Sequence, residues 1–233
     1  MLKANLEKVL NRIRTVADNC GRKPGSVRLV TVTKTVPVEK IIGAIEAGAD
    51  MFGENYVQEA REKIMDLSAY PVSWHFIGHL QRNKAKYAVD LFDLIHSVDS
   101  IKLAREIDKQ AGKLGKVQEI LIQVNVSEEI QKSGVEPEKT PDMIKVVAGF
   151  ENVLLRGLMT MPPFFNDPEK VRPFFRKLRN LRDQIQKDLL VQKGTEHLQL
   201  SELSMGMTGD FEAAIEEGAT LVRIGTAIFG ERS

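Results

Sequence analysis

The chain has 233 residues, 42% of them hydrophobic, and its 33 Lys+Arg against 32 Asp+Glu leave a formal charge of +1. That is ample for a sizeable core, and so even a balance calls for neither nucleic acid nor an anionic membrane, leaving a small or neutral ligand as the default partner. The single cysteine, Cys20, excludes an intrachain disulfide, a cysteine metal cluster and redox chemistry by a cysteine pair. With no signal-peptide core at the N-terminus and no apolar run that could span a bilayer, the expected location is the cytoplasm.

Leu2, Leu6, Val9, Leu10, Ile13, Val16 and Ala17 recur at helical spacing and predict an amphipathic helix ahead of the first strand. Short apolar runs follow at 27–33, 49–52, 72–77, 94–98, 117–126, 153–159, 197–203 and 221–224, with a helix-like stretch between each pair. About eight strands with helical crossovers are the pattern of a parallel sheet. Thr140 before Pro141 and Asp167 before Pro168 each set a capping side chain ahead of a first-turn proline. "AIEAGAD" at 44–50 and "AIEEGAT" at 214–220 are similar helix ends, with Gly48 and Gly218 suited to the C-terminal cap. No linker or low-complexity tract divides the chain, so one domain over 1–233 is expected. Eight units in this length predict an α/β fold, a (β/α)8 TIM barrel with an additional N-terminal helix. The alternative, a doubly wound open sheet, usually carries a Gly-rich fingerprint after its first strand, and "KTVPVEK" has no glycine.

In such a barrel ligand chemistry sits at the C-terminal ends of the strands. Lys34, Glu54, Asn55, His79, Ser97, Asn125, Thr160, Ser204, Arg223, Gly225 and Thr226 fall there. In "LVTVTKTVP" Lys34 ends an apolar, β-branched run. This stretch alone favours an amine that snorkels to water just past the strand; the alternative is a lysine deprotonated by burial, which is a nucleophile toward carbonyls. "TLVRIGTAIFG" turns at Gly225 and offers the Thr226 hydroxyl and amides at a helix start, and "ELSMGMTGDF" brings Ser204 with two glycines from the neighbouring loop. The loops after strands seven and eight are the common phosphate site of these barrels. A lysine nucleophile facing a phosphate cradle suits a phosphorylated aldehyde, with pyridoxal phosphate the obvious candidate. Arg223 has three possible jobs: phosphate partner, contact to a pyridine nitrogen, or structural pairing with a carboxylate.

Other features have plainer readings. His75 reads as a buried histidine satisfying a backbone group, and His79 as equally suited to the pocket mouth or to none. No metal is expected, because the four histidines show no short helical pair with an acidic neighbour. Arg172, Arg176, Arg179 and Arg182 read as a solvated outer face, with Phe174, Leu178, Leu181 and Ile185 marking the core face. "RNKAK" reads likewise, and Met205 and Met207 read as flexible packing.

The stretches "VTKTVP", "FGENYVQE", "WHFIGHLQRNK", "VNVS", "GLMTM", "LSMGM", "DFEAAIEEG" and "VRIGTAIFG" occur in the order in which they occur in one known family. Over nearly its whole length the chain resembles the YggS/PROSC family, the pyridoxal phosphate homeostasis proteins. The resemblance implies a fold-type III barrel like the N-terminal domain of alanine racemase, with Lys34 matching the lysine that holds pyridoxal 5'-phosphate as a Schiff base. It further implies that Ser204, Gly225 and Thr226 match phosphate-binding positions, Arg223 the arginine facing the pyridine nitrogen, and Asn55 a pocket asparagine. Thr31 and Thr33 depart from the small or apolar residues common in relatives, with no functional consequence expected. Glu128 to Gln131 also depart, and Lys132 is given no catalytic job.

The function this implies is intracellular vitamin B6 homeostasis: binding, buffering or delivering the cofactor, with transient contact to PLP-dependent apoenzymes and without efficient catalysis. The chain stops shortly after the eighth unit, so no second racemase-type domain is expected, and no catalytic acid/base residue is assigned. An arginine at the pyridine nitrogen also disfavours the ring protonation on which most carbanion chemistry of this cofactor relies. The alternatives are an amino-acid racemase or another fold-type III enzyme and, more distantly, a Schiff-base lyase of the aldolase kind.

Overall fold

In the computed structural model, which describes residues 1–127, 133–190, 198 and 200–231, eight parallel strands close into a barrel in chain order. They are β1 (Arg28–Val32), β2 (Met51–Glu54), β3 (Ser73–Phe76), β4 (Leu94–Val98), β5 (Gln118–Gln123), β6 (Val153–Met159), β7 (Glu202–Ser204) and β8 (Leu221–Ile224). α1 (Leu2–Asn19) precedes β1, and the crossovers carry α2 (Val38–Glu46), α3 (Val57–Asp66), α4 (Ala85–Leu91), α5 (Ile101–Lys113), α6 (Thr140–Ala148), α7 (Arg172–Leu190) and α8 (Phe211–Glu216). α9 (Thr226–Phe229) follows β8. β8 pairs with β1 from Arg28↔Leu221 to Thr31↔Ile224, which closes the barrel and sets the first and last strand ends side by side.

The strands are buried almost throughout, as a parallel sheet covered by helices requires. Leu29 packs outward into the large core between sheet and helices. Val30, one residue on, joins Leu94, Leu121, Met159 and Leu221 in a small cluster on the other face, inside the barrel. Helix α1 buries Leu6, Val9, Ile13 and Ala17, the face its spacing predicts, and packs against α8 and α9. Asn5 adds a hydrogen bond from its amide to the Ile228 carbonyl at 3.1 Å.

Several local expectations need correction. Helix α6 is entered through a 3-10 turn at Pro137–Lys139, so Thr140 lies inside the helix and donates its hydroxyl to the Glu136 carbonyl instead of capping. Asp167 does cap, accepting from the Glu169 amide at 3.0 Å, but the element it caps is a 3-10 turn. Strand β7 begins only at Glu202, later than the apolar run suggests. Arg172, Arg176 and Arg179 form no merely solvated face: they converge on the nearly buried Glu217 at 3.6, 2.7 and 3.0 Å and tie α7 to the end of α8. The deepest residues of α7 are Phe175, Leu178 and Ile185, with Phe174 and Leu181 half-buried. Gly48 and Gly218 both adopt φ 99°, the left-handed region where a helix stop favours glycine. Residues 128–131 and Lys132 lie outside the described residues. Among the described residues no helix is long and apolar enough to cross a membrane.

Candidate functional site

A cavity of about 300 Å³ opens at the C-terminal ends of the strands. Val32, Lys34, Asn55, Ile77, Arg223, Gly225 and Thr226 contribute from β1, β2, β3 and β8 or just beyond them, and Met207, Thr208, Gly209 and Asp210 from the loop after β7. Met161, Phe164 and Phe165, from the segment between β6 and α7, complete the lining. Of the six expected cofactor residues, five therefore share one cavity; Ser204 does not line it.

Lys34 is half-buried and sits just past β1 in a turn closed by the Val36 amide donating to the Thr33 carbonyl at 2.9 Å. Thr35 occupies the third position at φ 61°, the signature of a type II turn. That position normally takes glycine or asparagine, and holding a β-branched residue there costs of order 1–3 kcal/mol. The turn is braced from outside. The Thr35 amide donates to Glu59 Oε1 at 2.5 Å, and Lys63 Nζ donates to the Thr33 carbonyl at 2.6 Å, to Glu54 Oε1 at 2.8 Å and to Glu59 Oε1 at 2.6 Å. Glu54 is fully buried; burial pushes its carboxyl up, while Lys63 and the Thr33 hydroxyl, 2.7 Å away, oppose that shift.

Asn55 follows β2, and its Oδ1 is buried without a hydrogen-bond partner, an acceptor a polar ligand could satisfy. The chain leaving β3 crosses directly over this residue at Gly78, where a Cβ would lie 2.1 Å from the Asn55 carbonyl oxygen. The glycine of "FIGH" is therefore a steric requirement for placing Asn55.

Arg223 is buried at the mouth of the barrel interior. It donates to Ser204 Oγ at 2.6 Å and to the Thr160 carbonyl at 2.9 Å, and burial lowers its guanidinium to about 10, leaving it cationic at neutral pH. Ser204 is fully buried, and its Oγ also lies 2.8 Å from His96 Nδ1, whose Nε2 lies 2.9 Å from His75 Nδ1. An arginine can only donate, so Ser204 accepts from it and has its own proton for His96 Nδ1. His96 in turn has Nε2–H to give to His75. Desolvation keeps both rings neutral, pushing His75 down to about 4 and His96 well below the usual range, the latter helped by the charge of Arg223. His75 thus pairs with another histidine, contrary to the expectation of a backbone partner.

The sequence reading brought in Gly209 with the loop after β7 but missed Thr208, Asp210 and the apolar lip, and it gave Met207 to packing although Met207 lines the cavity. Asp210 accepts from the Met207 amide at 2.6 Å, and burial raises its carboxyl against that bond and the nearby Arg223 charge. The other strand-end residues go elsewhere. His79 is exposed, 3.7 Å from Asp99 and outside the cavity. Thr160 is buried with its hydroxyl on the Val124 carbonyl, Asn125 accepts from Ser127, and Ser97 is buried. Among the described residues no group of three or more His, Cys, Asp or Glu is arranged to hold a metal ion.

The alanine racemase N-terminal domain family matches residues 4–233. A pyridoxal phosphate homeostasis protein of Aquifex aeolicus is 47% identical over 227 residues, which cover 97% of this chain and 96% of the relative. The chain belongs to the pyridoxal phosphate homeostasis protein family. A solved structure similar to it is PipY of Synechococcus elongatus PCC7942 with PLP bound, 36% identical with a TM-score of 0.81 over 94% of this chain and 100% of that one. The barrel itself reaches further. An alanine racemase of Clostridium difficile 630 aligns with 98% of this chain and 57% of its own at 17% identity and a TM-score of 0.72, a likeness of fold alone.

Proposed function

We propose that the chain, acting as one domain over 1–233, binds pyridoxal 5'-phosphate through Lys34 and serves to buffer it or deliver it to PLP-dependent apoenzymes in the cytoplasm. The observation that carries this reading is the single cavity that gathers the Lys34 amine, the hydroxyls and glycine-flanked backbone of Thr208 and Thr226, and the buried Arg223. A relative that aligns over nearly its full length and is solved with PLP bound supports it.

The residues fit the cofactor on local grounds. The chemistry the cofactor would supply there is that of an aldehyde, which reacts with amines. Lys34 provides such an amine. Thr226 and Thr208 offer hydroxyls, and Gly225 and Gly209 let the backbone come close, the donor set a phosphate takes. Asn55 Oδ1 is an acceptor in want of a donor. Arg223, pinned by Ser204 and the Thr160 carbonyl, can reach a pyridine nitrogen only as a donor. A ring nitrogen that accepts from arginine carries no proton of its own, which weakens the electron sink racemases use and favours holding the cofactor over turning it over. The racemase reading has the shared barrel and the alanine racemase N-terminal domain family match behind it, without an assigned acid/base partner for Lys34.

Two measurements test this. The visible spectrum of protein mixed with pyridoxal phosphate, taken before and after borohydride, should show an absorbance band that reduction fixes onto the Lys34 peptide, and K34A should lose it while remaining folded. A reducible label elsewhere overturns the Lys34 assignment. Incubation of loaded protein with alanine in heavy water should give no enzyme-like deuterium incorporation at the α-carbon; rapid incorporation that K34A abolishes would replace the carrier reading with the racemase one.

A further inference from the structure

We propose that Lys63 and Glu59 are positioning residues for Lys34, holding the turn that carries the amine in a conformation the turn's own sequence resists. The inference rests on the Lys34 linkage proposed above. Nothing in the local sequence "TKTV" favours a left-handed residue, yet Thr35 stands at φ 61°. A β-branched residue left to itself moves out of that region, and the Lys34 side chain, one residue back, turns away with it.

The restraint comes from α3. Lys63 has three N–H bonds to give, and they meet the Thr33 carbonyl, Glu54 and Glu59, all within 2.8 Å. The Thr33 carbonyl is the acceptor that closes the turn, and Glu59 is the acceptor of the Thr35 amide. One ammonium thus ties together both peptide groups that define the turn. The Thr33 hydroxyl donates to the same Glu54 oxygen, so the segment after β1 is joined to the last residue of β2 as well.

A purely stabilising role explains this poorly. Lys63 is 6% exposed and Glu54 fully buried, and a buried ion pair seldom improves on apolar packing of the same volume. What the pair adds is a fixed direction. It lies beneath the one turn whose side chain has to meet a carbonyl carbon at bonding distance, where small errors of placement slow a reaction steeply.

The test uses the full chain in four variants: Lys63→Met and Glu59→Ala, each alone and each combined with Thr35→Gly. Glu59 is half-buried, so its variant should fold even if the loss of Lys63 beside buried Glu54 proves too disruptive. The linkage rate is followed by borohydride trapping on the Lys34 peptide at saturating pyridoxal phosphate. Affinity for pyridoxine 5'-phosphate, which has no aldehyde, is measured by calorimetry. The single variants should slow trapping about tenfold or more and leave pyridoxine 5'-phosphate binding within about twofold. Thr35→Gly should restore most of the rate, because glycine occupies the left-handed region without restraint. An unchanged trapping rate in the single variants overturns the proposal. So does a parallel loss of rate and pyridoxine 5'-phosphate affinity that Thr35→Gly fails to restore. Absence of trapping at Lys34 in the unmodified protein would instead overturn the cofactor reading, and this inference with it.

Discussion

Arg223 donates to the Ser204 hydroxyl at 2.6 Å, and that hydroxyl lies beneath the cavity, not in its wall. The serine expected to hold phosphate is here a partner of the arginine, and the two roles separate by experiment. S204A should lower stability by about 1–3 kcal/mol, since Arg223 and His96 each lose a buried partner, and should weaken pyridoxal and pyridoxal phosphate alike. T226A, at an exposed position, should leave stability unchanged and weaken only the phosphate ester, by roughly tenfold to a hundredfold for one charge-assisted bond. Urea unfolding and titration of both ligands against both variants make the comparison. Selective loss of the phosphate ester in S204A, at full stability, would restore Ser204 to the phosphate.

The buried histidine pair gives the fold a pH dependence. His75 is held at about 4 in the folded chain against an ordinary 6.5, so between those values the unfolded chain binds the extra proton and folding excludes it. Stability is therefore full above about pH 6.5 and falls as pH drops toward 4, by roughly 3 kcal/mol from His75 alone. His96, also depressed, steepens the fall. Denaturant unfolding across this window should show the slope, and H75Q should flatten it. An equal slope in H75Q would mean that other groups set the acid limit.

Asp210 places a carboxylate in the wall of a cavity proposed to hold a phosphate. D210N keeps an acceptor for the Met207 amide and removes the like charge. Affinity for pyridoxal phosphate at neutral pH should rise about tenfold, equivalent to ~1.4 kcal/mol, with pyridoxal unaffected. A weaker or unchanged affinity, again by titration, would show that the carboxylate serves Arg223 and does not face the phosphate.

Phe164 is 80% exposed at the cavity lip, beside the partly exposed Met161. An aromatic left in water at a ligand site gains burial only when the site fills. F164A should therefore speed loss of pyridoxal phosphate several-fold, seen by dilution into a trapping apoenzyme, and leave the unfolding midpoint in place. A shifted midpoint with an unchanged release rate would assign Phe164 to folding.

How far the sequence alone reached depends on the kind of signal. Strand runs and helical periodicity reflect burial on a repeating geometry, so β1, β4, β6 and β8 and the buried face of α1 were legible almost residue by residue. Lys34, Asn55, Arg223, Gly225 and Thr226 were legible because strand ends are fixed by the same pattern. Ser204 lies beneath the cavity and not in its lining, and on a strand of three residues, Glu202–Ser204, the pattern does not say whether the last side chain turns inward or upward. Thr208 and Asp210 lie past the strand end, where no periodicity applies, although an aspartate after a glycine in "MTGD" was a usable hint. His96 was hidden in the apolar strand "LIHSV". Lys63 and Glu59, four residues apart, look like an ordinary surface pair on a helix; the clue to their burial was Thr33, the polar departure given no consequence, whose hydroxyl meets the same Glu54.

Closure of β8 onto β1 also orders events during synthesis. The turn with Lys34 is translated early, whereas Arg223, Gly225 and Thr226 arrive only with the last strand, so a growing chain has the amine long before the cavity around it is complete. On the function proposed above, retention of pyridoxal phosphate would then report that β8 has closed onto β1.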